Sequence, residues 1–425
     1  MSTETSCATA DPNRHDEART DRRNALIVAP FVALPGEPGF NRFVYLADLM
    51  TERGWRVTLV TSSFCHSLKR HRSPPDTSWH LVLLQEPGYS KNISVRRILS
   101  HRAFALSLRQ WLRNQREEYS LVYAALPTPE SALETYHFAR RARIPFVVDV
   151  QDLWPDAIAV GFGARSSPLL ESALSVLLAR MKLRNRTVLR GAQGVVAVSS
   201  TYLDWARVNG AKSGVVCYIG TDLGVVDSIP RLQRTGGRLW VTYQGTLSHS
   251  YDVKTLLSAV AILRDEGLPV DCQILGDGPH RQGLEVYNKR VDASATFWGF
   301  APYGDLIAVL KASDIAVNPI RQSSKTSLPN KVFDYMGCGL PIVNSVAGEL
   351  AGLLTGQGAG LNYVPGDAYS LAGAVRTLAS DRDLRWELGR NARRLATLIG
   401  DRRFTYANLV DMLTHVGEWP CLRTD

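Results

Sequence analysis

The chain has 425 residues, which at roughly 100 to 200 residues per domain leaves room for two domains with sizeable cores. Hydrophobic residues make up 45%, charged residues 21% and aromatic residues 8%, figures that exclude a disordered chain, a collagen-like repeat and a disulfide scaffold. The formal charge is +9 and unevenly spread, with 21 Lys and Arg against 11 Asp and Glu in residues 51–200; nucleic acid, an anionic membrane and a phosphorylated substrate remain as possible partners of that surface.

Residues 1–23 are polar, lack the pattern of a signal peptide and are expected to form a flexible tail. No apolar run approaches the ~18 to 20 residues that span a bilayer, so a cytoplasmic protein is expected. Short apolar runs then alternate with helical patterns, as in βαβ units around a parallel sheet. Strands are predicted at Ala25 to Pro30, Arg56 to Thr61, Leu121 to Ala124, Pro145 to Val150 and Gly194 to Val198. Between the first two, a helix is predicted at Asn41 to Arg53 with Phe43, Leu46, Ala47 and Met50 on one face, which places PGEPGFN at 35–41, with Gly39, in the turn from first strand to first helix and Arg42 at the helix start.

A Pro, Gly and Arg segment, 229–238, has the character of a linker. Beyond it a second series begins, with strands predicted at Leu239 to Gln244, Asp271 to Leu275, Ala295 to Trp298, Ile315 to Asn318 and Pro341 to Asn344. Helices are predicted at Val253 to Glu266, Tyr303 to Ala312, Lys331 to Met336 and Ala368 to Leu378. The expected organisation is a tail at 1–23, an N-terminal domain at 24–228, the linker, a C-terminal domain at 239–398 and a C-terminal helix at 399–425. The fold class is α/β, two Rossmann-like doubly wound domains facing a cleft, with ligands beyond the carboxyl ends of the strands.

Cys7, Cys65, Cys217, Cys272, Cys338 and Cys421 are scattered, without the spacing of a zinc site or a disulfide framework. Phosphate-loop, zincin, nucleophile-elbow and dinucleotide signatures do not occur. The one D-x-D, Asp381 to Asp383, opens a charged helix, where a capping role accounts for it better than a metal site. The richest segment runs from Ser327 to Pro341 (SLPNKVFDYMGCGLP). A Pro-containing turn there leads into a helix, Lys331 can meet an anion, and Asp334 can accept two hydroxyl hydrogen bonds as a ribose diol requires.

This sequence resembles the retaining GT-B glycosyltransferases of family 4, in the branch that builds bacterial capsule, O-antigen and exopolysaccharide. The resemblance rests on markers in a fixed order: PGFNR at 38–42, VTSSFCH at 60–66, DVQDLWPD at 149–156, VSSTY at 198–202, GTD at 220–222, YQGTL at 243–247, LGDG at 275–278 and PNKVFDY at 329–335. It implies a nucleotide-sugar donor, UDP-linked by default, in the second domain and an acceptor in the first. It further implies front-face transfer with retention, no metal cofactor, and a C-terminal helix at 399–425 that could cross back to the N-terminal domain.

Matched by position, Asp334 stands at the second glutamate of the family's E-x7-E motif and Thr326 at the first. The family's usual diphosphate cations fall at Thr246 and Tyr251, leaving Lys331 and Arg42 to replace them. Asp152 occupies the family's polar position near the transferred sugar, with Gln151 in place of a histidine. Capping of the following turn is the alternative role for it. Gly39, Asn41, Arg42 and His66 are candidates for the acceptor or diphosphate, although a plain turn and a surface histidine account for Gly39 and His66 as well. Gly245, Thr246, Gly276 and Gly278 are candidates for the donor. Phe300 and Tyr303 could cover a base, or could serve the core and a helix start.

Basic stretches at 91–102 and 180–186 mix cations with apolar residues at helical spacing, which suits either peripheral contact with an anionic inner membrane carrying a polyprenyl-diphosphate-linked glycan or a solvated helix face. A natural-product glycosyltransferase, a nucleotide-sugar 2-epimerase and a basic scaffold protein are the rival readings. Nucleic acid is not the expected partner, because the basic residues are not interleaved with a stacking platform of aromatics.

Overall fold

The computed structural model describes residues 23–37, 39–91, 94–155, 168–324 and 327–418, with backbone alone for 168–174 and 418. Two parallel sheets organise it. In the first, β1 (Asn24–Val28) lies between β2 (Arg56–Ser62) and β6 (Leu121–Ala125), with β5 (His80–Leu84) outside β2, and β7 (Phe146–Val150), β8 (Gly194–Ala197) and β9 (Gly214–Val216) continuing beyond β6. The pairs from β5 through β8 are all parallel. A two-stranded antiparallel hairpin, β3 (Phe64–Cys65) and β4 (Arg70–His71), follows β2. The strand β5 escaped the sequence reading because its Leu-rich run fits a strand and a buried helix equally.

Helix α1 (Arg42–Glu52) forms for reasons visible in its sequence. Asn41 caps it by accepting from the amides of Phe43 and Val44, and Phe43, Leu46, Ala47 and Met50 share one buried face. Helices α2 (Val95–Arg113), α3 (Pro129–Ala142) and α4 (Pro168–Gly191) complete the βαβ crossovers, and α3 packs against both α2 and α4. Their apolar sides join the sheet in one core around Leu26, Val122, Phe104, Leu108, Phe146 and Val148.

The second sheet runs β12 (Thr296–Gly299), β11 (Val270–Leu275), β10 (Leu239–Gln244), β13 (Ile315–Asn318), β14 (Ile342–Asn344), β15 (Gly360–Asn362), again parallel throughout. Its two faces carry separate cores, one around Tyr243, Leu256, Val260 and Val375, the other around Leu310, Phe333, Tyr335 and Met336. The strand order reverses at β10, whose neighbours are β11 on one side and β13 on the other. In sheets of this kind that reversal opens a crevice at the carboxyl ends.

The chain divides into two compact units. One holds the residues through Ala197 with Tyr202–Val215 and the chain from Val410; the other holds Val198–Thr201 with Val216–Leu409. Within the second unit the segment 229–238 is packed, with Arg234 paired to Asp314 at 2.7 Å and Arg238 to Asp271 at 2.7 Å. Asp381 caps the helix α13 (Arg382–Leu395) by accepting from the Leu384 amide at 2.9 Å, so the D-x-D serves a helix start.

Candidate functional site

In the second unit the loops after β10, β11 and β12 converge with helix α10 (Lys331–Gly337) at the carboxyl edge. Gly245 and Gly276 are held together: the Gly245 amide donates to Leu275 O at 2.8 Å, and the Gly276 amide to Gly299 O at 2.8 Å. Both have positive φ, 140° and 134°. A Cβ on Gly276 would lie 2.0 Å from the carbonyl oxygen of Gly245, so no larger residue fits there. A Cβ on Gly278 would lie 2.5 Å from Leu247 O. Thr246, between these loops, is exposed.

Lys331 is the site's unusual group. It is only 8% exposed, and its Nζ has no hydrogen-bond partner among the described residues. The ammonium lies 4.3 Å from the ring centre of Tyr243 and 3.7 Å from that of Tyr251, and a Cβ on Gly245 would come within 2.9 Å of it. The ring faces offer partial compensation through their quadrupoles. Burial without an anion still pushes the lysine pKa well below its ordinary value.

Asp334, one helical turn on, is fully occupied by internal donors. Its Oδ1 accepts from Thr221 Oγ1 at 2.8 Å and from Tyr303 OH at 3.0 Å, and its Oδ2 accepts from Gln244 Nε2 at 3.0 Å. Burial raises its pKa against the pull of those hydrogen bonds. Tyr303 begins a helix, as its position suggested, and also reaches this carboxylate while 42% exposed. Phe300 is 73% exposed, so it is not core packing. Thr326 lies outside the described residues.

In the first unit the candidates separate. Gly39 has φ of 97° with open space around it. Asn41 is consumed in capping α1 and in donating to Phe31 O at 3.2 Å. Arg42 corrects the expectation of a cation offered to a diphosphate: it is 2% exposed, and its Nε sits 3.1 Å from Asp149 Oδ2, an oxygen that also accepts from Tyr123 OH. The reason is its place on the inner face of α1, against the end of β7.

His66 and Asp152 instead lie in a cluster that sequence reasoning did not assemble. His66 Nδ1 meets Tyr89 OH, with Lys69 Nζ at 3.4 Å. Asp152 accepts from the Leu153 amide at 2.8 Å and from Trp154 Nε1 at 3.0 Å, and burial raises its pKa. Arg97, on α2, lies over the rings of Trp154, Tyr89 and Phe31 at 4.7, 5.5 and 5.6 Å. Arg97 and His101 therefore turn inward, away from the membrane-facing role assigned to their stretch. The aromatic residues at 31, 89 and 154 were the missed signal, invisible because they come from three separate loops.

Two family models cover most of the chain. Residues 41–221 match the glycosyl transferase 4-like domain, and residues 238–381 match glycosyl transferases group 1. The chain is a family 4-like glycosyltransferase. Its fold agrees: sucrose-phosphate synthase from Thermosynechococcus elongatus superposes with a TM-score of 0.69 at 16% identity, over 93% of this chain and 99% of that one. Anabaena HepE in complex with UDP superposes with a TM-score of 0.66 at 16% identity, over 92% and 100%. These likenesses identify the two parallel-sheet units as the Rossmann-like halves of a GT-B fold. A 2-deoxystreptamine glucosyltransferase of Streptomyces kanamyceticus is 27% identical over 152 residues, a match spanning 35% of this chain and 38% of that relative.

Proposed function

We propose that this glycosyltransferase moves a sugar from a UDP-sugar, with retention and without a metal cofactor, to a lipid-linked glycan intermediate of cell-surface polysaccharide assembly. The observation that carries the donor half is Lys331, a buried ammonium with no hydrogen-bond partner among the described residues, beside the narrow backbone gap of Gly245 and Gly276. A diphosphate entering that gap supplies the missing anion, and the backbone approaches it closely because no side chain intervenes. The ribose takes over part of the Asp334 carboxylate as Tyr303 OH turns to Thr221 Oγ1, which lies 2.8 Å away. The exposed Phe300 ring covers the base.

The transfer forms a bond from an acceptor hydroxyl oxygen to the anomeric carbon and breaks the bond from that carbon to the β-phosphate oxygen. The hydroxyl proton passes to the departing phosphate. Lys331 stabilises the charge that develops there, most strongly when the bond is nearly broken. Asp152 lies near the acceptor in this reading, and the His66 cluster binds it.

For the lipid-linked acceptor the supporting observation is the outer face of α2 and α4. Val95, Leu99 and Leu106 are exposed beside Arg96 and Arg102, and Val176 and Leu183 are exposed beside Arg180, Lys182 and Arg186. Among the described residues no helix is long and apolar enough to cross a membrane. In this reading the enzyme works on the cytoplasmic membrane face as a peripheral protein, held by those exposed basic and apolar side chains.

The test is a thermal-shift panel on the wild type and Asp334→Ala with UDP, GDP, CDP, ADP, UDP-glucose, UDP-N-acetylglucosamine, UDP-galactose and GDP-mannose, with and without EDTA. Ligand at 100 times its Kd stabilises by about 2.7 kcal/mol. A shift with UDP compounds that persists in EDTA and is lost in the variant is the expected result. A shift with another base alone, or one abolished by EDTA, overturns the proposed donor or its metal independence.

A further inference from the structure

Around Phe31 four basic groups from two elements crowd one patch. Lys69 sits in the β3–β4 hairpin at 4.7 Å from the Tyr89 ring centre, His66 stands beside it, and α2 brings Arg97 and His101. Phe31 packs against both histidine rings at 5.2 and 5.1 Å, and His101 against Trp154 at 5.5 Å. Phe31 follows β1, His66 and Lys69 follow β2, Tyr89 follows β5, and Trp154 follows β7. All lie at the carboxyl edge of the first sheet, the edge at which such sheets bind ligands.

The charges in this patch disfavour one another. Burial, with Lys69 and Arg97 adding to it, lowers the His66 pKa to about 4, and burial with Arg97, His66 and Lys69 lowers that of His101 to about 3. Burial and Arg97 bring Lys69 down to about 8. The carboxylates facing the patch are Glu86 and Asp152, which offset the Arg97 charge in part while each also accepts from internal donors. Glu86 accepts from Ser62 and from Ser100, and Asp152 from the Leu153 amide and Trp154 Nε1. His101 Nε2 is buried and has no hydrogen-bond partner among the described residues. An oxyanion placed here meets two cations and a ring nitrogen, while an amine-bearing acceptor meets like charge.

We propose that Lys69 and Arg97, carried on the faces of Phe31, Tyr89 and Trp154, form a subsite for a phosphate or diphosphate group of the acceptor, whose adjoining apolar portion lies against those rings. This rests on the reading of the chain as a transferase with its acceptor in the first unit. The same chemistry is offered by an isoprenoid diphosphate and by a soluble sugar phosphate, and the test separates them.

The full chain, saturated with UDP to occupy the donor site, is titrated calorimetrically with geranyl diphosphate, glucose 6-phosphate and geraniol; the titration is repeated in Lys331→Met without UDP. The variants are Arg97→Gln and Lys69→Asn, the latter because φ at Lys69 is 55°, a conformation asparagine tolerates. Geranyl diphosphate is expected to bind and geraniol not, with each variant weakening binding roughly tenfold, as loss of one charge-assisted hydrogen bond implies. Comparable binding of glucose 6-phosphate would make the acceptor a soluble sugar phosphate and leave the subsite standing. The proposal is overturned if neither phosphate compound binds, or if both variants bind as the wild type does. UDP binding measured on the same variants separates the outcomes: unchanged UDP affinity with no phosphate binding sinks the subsite alone, whereas no UDP binding in any protein sinks the donor site.

Discussion

Arg42 in the first unit and Lys331 in the second are both almost completely buried, and the two are built in opposite ways. Arg42 in the first unit is 2% exposed and locked to Asp149, itself fully buried and also held by Tyr123. Lys331 in the second unit is 8% exposed, with two tyrosine rings and no hydrogen-bond partner among the described residues. Both stand at the start of a helix that follows a turn, and in the sequence both are plausible partners of a diphosphate. Satisfaction of the charge, not burial, separates scaffold from site. A cation already paired with a buried carboxylate gains less from a ligand than one that, among the described residues, meets only ring quadrupoles.

The sharpest way to break this comparison is to replace each cation by methionine. Arg42→Met leaves Asp149 buried without its partner and is expected to cost about 3 to 5 kcal/mol of stability, measured by urea unfolding. Lys331→Met removes an unsatisfied donor, so it is expected to stabilise by about 1 to 3 kcal/mol while lowering sugar transfer roughly 10²- to 10³-fold. Changes of the same sign in both stabilities would refute the contrast.

Gly276→Ala comes next in size. Its Cβ would stand 2.0 Å from Gly245 O, so the two loops must part, and UDP affinity should fall by more than tenfold while α-helical circular dichroism is kept. An unchanged affinity would show that the gap is not where the diphosphate binds.

The pH dependence sharpens the comparison further. The folded-state pKa of Lys331 lies below its unfolded value, so the unfolded chain holds more protons between the depressed value and about 10.5, and stability rises with pH across that window. Lys331→Met should flatten this rise. Diphosphate binding should reprotonate the amine, so calorimetry in buffers of different ionisation enthalpy is expected to show proton uptake of up to about one per UDP, absent in the variant.

The smallest expected effect concerns the membrane face. Leu99→Gln with Arg102→Gln should weaken sedimentation with phosphatidylglycerol vesicles by several-fold, at about 1 kcal/mol per cation, without changing UDP affinity. Equal sedimentation of variant and wild type would remove α2 from the proposed contact.

The sequence by itself determined what depends on neighbours a few residues apart. Alternating apolar runs placed the main strands within a residue or two, the face of α1 was readable from Phe43, Leu46, Ala47 and Met50, and Lys331 and Asp334 were marked by their place on a short helix. Only the tertiary structure decided which polar groups meet. Thr221, Gln244 and Tyr303 converge on Asp334 from as far as 113 residues away. Asp149 claims Arg42 across the first sheet's edge, and Arg97 turns onto rings from three loops rather than outward. Periodicity reports which face of an element is buried, but a charge selects its partner by Coulomb and hydrogen-bond energies that act through space. Whether a buried cation is spent on the fold or kept for a ligand is therefore settled only once distant strands stand side by side.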